Sequence, residues 1–269
     1  MRVGLVQINS QEDRQHNVAR ALELVDEAVA QGAQFVAMPE CVNYLGRGEF
    51  HPANAETLDG PTATAFAAAA KRHGIWLHGG SILEVTDTPG KHYNTNIVFD
   101  PHGNQVAIYR KIHLFDVDIA PGSYRESDTY LPGDQVVTTD MNGVTLGLSI
   151  CYDVRFPELY RLLALAGAKI ITVPAAFTAF TGKDHWEVLL RARAIENQAY
   201  VLAPAQWGEH PVGRQCYGRS MIINPWGTVM ATAPDGEGVI VANLDMQELE
   251  RLRKSVPSLA NRRPQIYKW

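Results

Sequence analysis

Two turns of matching chemistry, Asp100-Pro101-His102-Gly103 and Asn224-Pro225-Trp226-Gly227, constrain this chain more than any other feature. Each joins two strand-like runs, in a comparable place after a helix and a strand. The repeat implies two similar α-β halves. Each half has one set of amphipathic helices, enough to cover one sheet. The expected class is therefore α/β, with two sheets face to face and helices on both outer surfaces, a four-layer α-β-β-α sandwich. No Gly-, Ser- or Pro-rich linker separates the halves, so residues 1–269 read as one domain. At 46% hydrophobic and 20% charged, a chain of 269 residues can fill such a core.

In the first half, residues 1–9 alternate like a strand. Residues 17–31 carry Val18, Leu22, Val25 and Val29 at helical spacing, stopped by Gly32. A second strand over 34–38 breaks at Pro39 and emerges at Glu40. Residues 62–73 are Ala-rich and helical, ending before Gly74, and 75–83 return as strand. A hairpin over 96–100 and 105–110 delivers Lys111 at its far end. The stretch 113–132 has little periodicity and contains Asp116, Asp118, Pro121, Gly122 and Glu126; loops of that length in compact domains are usually functional or disordered.

In the second half, 135–139 and 144–150 flank Asn142-Gly143, a strong hairpin signal. Helix over 157–166, strand over 169–173, helix over 185–197 and strand over 200–203 follow. The 185–197 helix is expected to present Val188, Leu189, Ala192 and Ile195 as one face. Strands over 220–224, 228–232 and 239–244 and a helix over 246–253 complete the pattern.

The run Val144 to Ile150 reads as a buried strand that ends abruptly in Cys151, followed by Tyr152-Asp153-Val154-Arg155-Phe156-Pro157. The carboxyl end of a strand in an α/β sheet is where reacting groups are usually presented. A helix opening near Pro157 would turn its positive end to the thiol and favour the thiolate. Cys151 is thus a candidate nucleophile, against the alternative of a small buried hydrophobe. Glu40 at a strand end is the candidate base and Lys111 at a hairpin end the candidate cation. Each has a bland alternative, a solvated carboxylate and a surface cation.

Other chemistries have less support. Ser149 lies inside a strand, with Cys151 where the last glycine of Gly-x-Ser-x-Gly should stand. A Cys-His enzyme stays open, with His113 and His185 the best placed of nine histidines. Nucleotide and metal motifs do not occur, and no cofactor is expected. Cys41, Cys151 and Cys216 are far apart and odd in number, which favours neither a disulfide framework nor a zinc site and suggests a reducing, cytoplasmic setting. A charge of -5, with dispersed Lys and Arg, points to small molecules as partners and away from nucleic acid or membranes.

The ordered set Met38-Pro39-Glu40, Tyr109-Arg110-Lys111-Ile112-His113-Leu114 and Cys151-Tyr152-Asp153-Val154-Arg155-Phe156-Pro157-Glu158 resembles the nitrilase superfamily of carbon–nitrogen hydrolases. His185-Trp186-Glu187 with the following helix, Asn224-Pro225-Trp226-Gly227 and Arg262-Arg263-Pro264 are similar to its Nit branch. The resemblance covers essentially the whole chain and implies the nitrilase sandwich, assembled as a homodimer. It implies Cys151 as nucleophile, Glu40 as general base, and Lys111 with the Tyr152 backbone N–H stabilising the tetrahedral intermediate. Glu126 matches the family's second glutamate.

The implied reaction is hydrolysis of an amide through a thioester, releasing ammonia. Phe156-Pro157-Glu158 and the run Arg191 to Glu196 favour deaminated glutathione as substrate. Alpha-ketoglutaramate is the second reading; a nitrile or N-carbamoyl substrate, or a non-catalytic interaction protein, stands further off. Arg155 is expected to pair with a substrate carboxylate, the alternative being an ion pair with Asp153 or Glu158. Phe177 and Thr178 are expected in the pocket and Tyr44 at its entrance. The sequence departs from the family around 123–130 and 206–215.

Overall fold

In the computed structural model, which describes residues 1–119 and 122–266, the first half of the chain folds as β1 (Arg2–Gln7), α1 (Arg14–Ala30), β2 (Phe35–Ala37), a short α2 (His51–Asn54), α3 (Pro61–His73), β3 (Trp76–His78), β4 (Ile82–Val85), β5 (His92–Phe99) and β6 (Gln105–Arg110). A hairpin, β7 (Asp116–Ile119) with β8 (Gly122–Arg125), occupies the stretch expected to be irregular; Pro121 lies outside the described residues, as does the tail after 266. The second half runs β9 (Thr138–Asp140), β10 (Thr145–Leu148), α4 (Pro157–Leu165), β11 (Ile170–Thr172), α5 (Ala179–Asn197) and β12 (Tyr200–Ala203). It continues through a hairpin, β13 (Trp207–His210) with β14 (Arg214–Tyr217), then β15 (Met221–Ile223), β16 (Val229–Thr232), β17 (Gly238–Asn243) and α6 (Met246–Ser255).

The inferred duplication is visible in the strand order. One sheet places β17, β1, β2, β3, β5 and β6 side by side, with β4 sharing the β5 edge that β3 occupies. The other places β9, β10, β11, β12, β15 and β16 side by side. Corresponding neighbours run in the same sense, with two parallel pairings in the middle and antiparallel pairings outside. The two matching turns join β5 to β6 and β15 to β16. One strand breaks the symmetry: the partner of β1 is β17, from the far end of the chain, whereas β10 takes its own predecessor β9.

Side-chain alternation sorts the layers. Val3 and Leu5 of β1, with Phe35 and Ala37 of β2, join the core that contains Leu146, Leu148 and Ile171 of the second sheet. Val6 and Val36 on the opposite face pack with Leu24, Val25 and Ala28 of α1 and Phe66 of α3.

Three boundaries differ from expectation for local reasons. α1 starts earlier because the Asp13 carboxylate caps it, accepting from His16 N at 3.0 Å. The strand expected over 75–83 is split at Gly79-Gly80. A Cβ on Gly80 would lie 2.1 Å from the Pro39 carbonyl oxygen, and its φ of +64° suits glycine. α5 starts six residues early, through Gly182, where a side chain would meet the Tyr217 ring on β14 at 2.4 Å.

The face expected on α5 is also corrected. Trp186, Leu190, Arg193, Ala194 and Asn197 are buried, whereas Val188 is 66% and Ile195 49% exposed. Arg193 tolerates burial because its Nε donates to Val154 O at 2.9 Å and its Nη1 meets Glu196 at 2.8 Å.

Candidate active site

Glu40, Lys111 and Cys151 each follow the end of a strand, and the sandwich brings those ends together. Glu40 leaves β2 in a turn fixed to the Gly80-Ser81 segment. Ser81 N donates to Pro39 O at 3.1 Å, and Cys41 N donates to Ser81 Oγ at 2.9 Å. Lys111 leaves β6, its backbone tied to Asn94 O at 2.9 Å and receiving Gly133 N at 2.8 Å. Cys151 leaves the β10 run with φ +47°, an uncommon conformation for a residue with a side chain, and its N–H donates to Pro174 O at 2.9 Å.

The three side chains are nearly inaccessible, at 3% for Glu40, 3% for Lys111 and 8% for Cys151. Lys111 Nζ lies 3.0 Å from Glu40 Oε1 and 2.9 and 2.8 Å from the two Glu126 oxygens. Glu126 is held in turn by Phe115 N at 2.6 Å. Glu40 also accepts Asn94 Nδ2, at 2.9 Å from Oε1, and Ala176 N, at 2.7 Å from Oε2. Each charge is thus paired and hydrogen-bonded, the condition under which buried ions persist.

The electrostatics give the resting protonation states. Burial alone would lower the Lys111 pKa, but Glu126 and Glu40 outweigh it and hold the ammonium well above its usual range. Burial, then the Glu40 charge, pushes the Cys151 thiol well above the ordinary thiol range, and Lys111 opposes this incompletely. The helix-end argument for a thiolate is therefore corrected: α4 begins at Pro157 as expected, but a 3-10 turn over Cys151–Arg155 stands between it and the thiol, and burial and the Glu40 charge outweigh the opposing effects and keep the proton on sulfur.

Asp153 locks the nucleophile's turn against the β6 end. Fully buried, it accepts Tyr109 OH at 2.6 Å and Ile150 N at 2.8 Å, and it meets His113 N and Nδ1 at 3.1 and 2.7 Å. His113 also stacks on Phe156, with ring centroids 3.6 Å apart. Neither His113 nor His185 lines the cavity at Cys151; His51 is the one histidine that does among the described residues.

That cavity, about 670 Å³, contains Glu40, Lys111, Glu126 and Cys151 in its wall. Tyr44, Tyr152, Phe177 and Thr178 line it. Arg155 does not. Its guanidinium lies over the Phe177 and Tyr152 rings, 5.2 and 5.9 Å from their centroids, and its Nη1 is 3.3 Å from His185 Nδ1; an ion pair with Asp153 or Glu158 is likewise absent among the described residues. Sequence reading missed His51, Arg214, Cys41 and Cys216 as lining residues. They come from α2, the β13–β14 hairpin and the turn after Glu40, where no periodic signal marks them.

A thiol, a carboxylate and an ammonium closed into one cavity at strand ends of an α-β-β-α sandwich are the equipment of a thiol-dependent hydrolase. Comparison with known proteins agrees: the carbon-nitrogen hydrolase family model matches residues 2–254. The chain is 44% identical over 262 residues to deaminated glutathione amidase of Synechocystis sp. PCC 6803, covering 96% of both chains. It is 38% identical over 268 residues to human omega-amidase NIT2, covering 99% of this chain and 96% of that one. Among solved structures, the C. elegans NitFhit protein superposes with a TM-score of 0.92 at 35% identity, over 99% of this chain and 66% of that one. The chain belongs to the carbon–nitrogen hydrolase family, in the Nit branch of the nitrilase superfamily. It is an amide-hydrolysing enzyme that depends on a cysteine.

Proposed function

We propose that the enzyme hydrolyses the amide of a small carboxylate-bearing substrate to acid and ammonia through a thioester on Cys151. The observation that carries this reading is the convergence of Cys151, Glu40 and Lys111 in one cavity. With its pKa raised, the thiol needs a base, and Glu40, beside it, takes the proton as sulfur attacks the amide carbon. The oxyanion falls to Lys111 Nζ and to the Tyr152 N–H, which donates to no other group among the described residues. The proton held by Glu40 passes to the leaving nitrogen, the C–N bond breaks and ammonia departs. Water, deprotonated by Glu40, then attacks the thioester; the C–S bond breaks and the thiol regains its proton. Glu126 holds Lys111 in place throughout.

Deaminated glutathione is the substrate we favour, because the 44% identical relative bears that activity in its name. The omega-amidase relative supports alpha-ketoglutaramate as a second reading. Ammonia release from each, side by side, tests the choice: preference for the first supports the favoured reading, and preference for the second replaces it.

The same reading takes residues 1–269 as a single domain acting in the cytoplasm as a homodimer, without nucleic-acid or membrane partners. No helix among the described residues is long and apolar enough to cross a membrane. For the dimer, the outer faces of α4 and α5 expose Leu162, Leu165, Val188 and Ile195, and the Trp226-Gly227 turn sits against Ile195.

A further inference from the structure

Gln206 stands between β12 and β13, fully buried and outside the cavity wall, so it does not reach substrate. Ser10 N donates to its Oε1 at 2.9 Å, which fixes the amide's orientation and leaves Nε2 to donate. Nε2 lies 2.9 Å from Ser10 Oγ, 2.9 Å from the Glu40 carbonyl oxygen and 3.4 Å from the Cys41 carbonyl oxygen. The Ser10 hydroxyl gives its own proton to Val42 O at 3.0 Å, so it accepts from Gln206. The Gln206 backbone reaches the same glutamate from the other end. Gln206 N donates to Ala175 O at 2.8 Å, and the next N–H along, Ala176 N, donates to Glu40 Oε2 at 2.7 Å. That Ala176 N–H also acts on the Cys151 sulfur. One residue thus holds the main chain of Glu40 directly and its carboxylate through a single peptide.

This hold has something to oppose. Cys41, next to Glu40, has φ +55°, in the left-handed region that a residue with a side chain adopts only where its surroundings impose it. Cys41 N is tied to Ser81 Oγ at 2.9 Å, and the Glu40 and Cys41 carbonyls are tied to Gln206. Ser81 belongs to the first half of the chain and Gln206 to the second, so the turn is fixed from both sides of the sandwich. A turn kept in an uncommon conformation relaxes when its restraints are removed. Relaxation here swings Glu40 away from Cys151.

We propose that Gln206 is the positioning residue for Glu40, clamping the Glu40–Cys41 turn so that the carboxylate stays beside the Cys151 thiol. It acts through Glu40 and takes no part in the bond changes. The inference rests on the reading of Glu40 as the base.

The variants are Gln206→Met, which fills the same space without donors, and Gln206→Asn, which keeps an amide for Ser10 but withdraws it by one methylene from the Glu40 carbonyl. Glu40→Gln is the reference. One readout is ammonia release from deaminated glutathione and from alpha-ketoglutaramate. The other, which needs no substrate, is the pH profile of Cys151 alkylation by iodoacetamide, followed on the Cys151 peptide by mass spectrometry. Circular dichroism establishes folding. In Gln206→Met, kcat falls about 10- to 100-fold while KM changes less than about threefold, the loss expected when a reacting group is misplaced by up to about 1 Å. The Glu40 charge helps to hold the Cys151 thiol pKa up and Lys111 opposes it, so displacing Glu40 moves the alkylation profile to lower pH, part of the way to that of Glu40→Gln. Gln206→Asn shows both changes in smaller measure. A residue that only joined the two halves would lower the thermal midpoint and leave kcat and the profile where they were. Folded Gln206 variants with wild-type kcat and profile, or a kcat loss with an unmoved profile, overturn the inference. Failure of both variants to fold also overturns it, because Gln206 is then a structural part of the sandwich. If Glu40→Gln itself keeps wild-type kcat and profile, the base reading fails and the inference with it; an altered Glu40→Gln beside unaltered Gln206 variants overturns the inference alone. If the wild type releases ammonia from neither amide, the alkylation profile decides.

Discussion

Lys111 Nζ sits 3.0 Å from Glu40 Oε1 although the two residues are 71 positions apart, and the pair is 3% and 4% exposed at the side chain. A lysine buried alone would shed its proton, and a glutamate buried alone would take one up. Beside Glu126 and Glu40, Lys111 is held well above its usual range and keeps its proton. The cavity therefore holds an ammonium fixed between two carboxyl groups, beside a thiol whose pKa is pushed well above the ordinary range.

Cys151→Ala abolishes ammonia release while circular dichroism and the thermal midpoint stay near wild type, since a small residue replaces a small one. Glu40→Gln retains the thiol but lacks the base, so kcat falls by about 10²- to 10⁴-fold. Without the Glu40 charge, one of the causes holding the Cys151 pKa up is gone. The Cys151 alkylation profile therefore shifts to lower pH in Glu40→Gln. An unshifted profile would mean that the carboxylate does not act on the thiol.

Lys111→Met leaves Glu40 and Glu126 facing each other in a dry site with no counter-charge. Breaking a buried pair by removing one partner costs about 3–5 kcal/mol. Urea unfolding is the check, read with turnover. A variant that is inactive yet as stable as wild type would show that the triad contributes nothing to folding.

His78 supplies a pH dependence of stability. It is fully buried on β3, its Nδ1 faces Asn96 Nδ2 at 3.2 Å, and burial depresses its pKa to about 3. The unfolded chain protonates this histidine below about pH 6.5 and the native one does not. Its stabilising contribution is complete above that pH and is lost as pH falls toward 3, at about 1.4 kcal/mol per unit. His51, depressed to about 4, acts in the same direction. The thermal midpoint of wild type should fall between pH 7 and pH 5, and His78→Gln should flatten that fall. An equal fall in both would assign it to other groups.

The exposed apolar faces of α4 and α5 predict the oligomeric state. Leu162→Glu with Val188→Glu places two charges on a face that the proposed homodimer covers, at positions 51% and 66% exposed in the single chain. Sedimentation should read a dimer for wild type and a monomer for the double variant, both folded. A wild-type monomer would remove the proposal.

The sequence was most informative where local and global demands coincide. Glu40, Lys111 and Cys151 stand where an apolar run ends, so chain punctuation marks all three as candidates. Gly74, left-handed at φ +62°, marks the α3 end equally well. Reading failed where tertiary packing overrode periodicity. The spacing of Val188 and Ile195 made them one face of a helix but gave no means of deciding whether that face looks inward. Trp186 decides it, because its ring fills the core and its Nε1 needs Arg219 O, 2.9 Å away. Arg155, expected to pair bidentately with a substrate carboxylate, has its guanidinium over the rings of Phe177 and Tyr152, both in the cavity wall, a placement that only the tertiary structure gives.

What the sequence determined alone was the inventory: two α-β halves with matching turns, strands whose ends carry a thiol, a carboxylate and an ammonium, and a motif set that names the family. These are properties of neighbouring residues, set by hydrophobic period and by Gly and Pro. The tertiary structure decided which distant ends meet. It put β17 beside β1, joined Lys111 to both Glu40 and Glu126, raised the Cys151 pKa by burial, and placed Arg214 and His51 on the cavity wall. Burial and charge pairing depend on distances in space between residues far apart in the chain, and no local pattern encodes them.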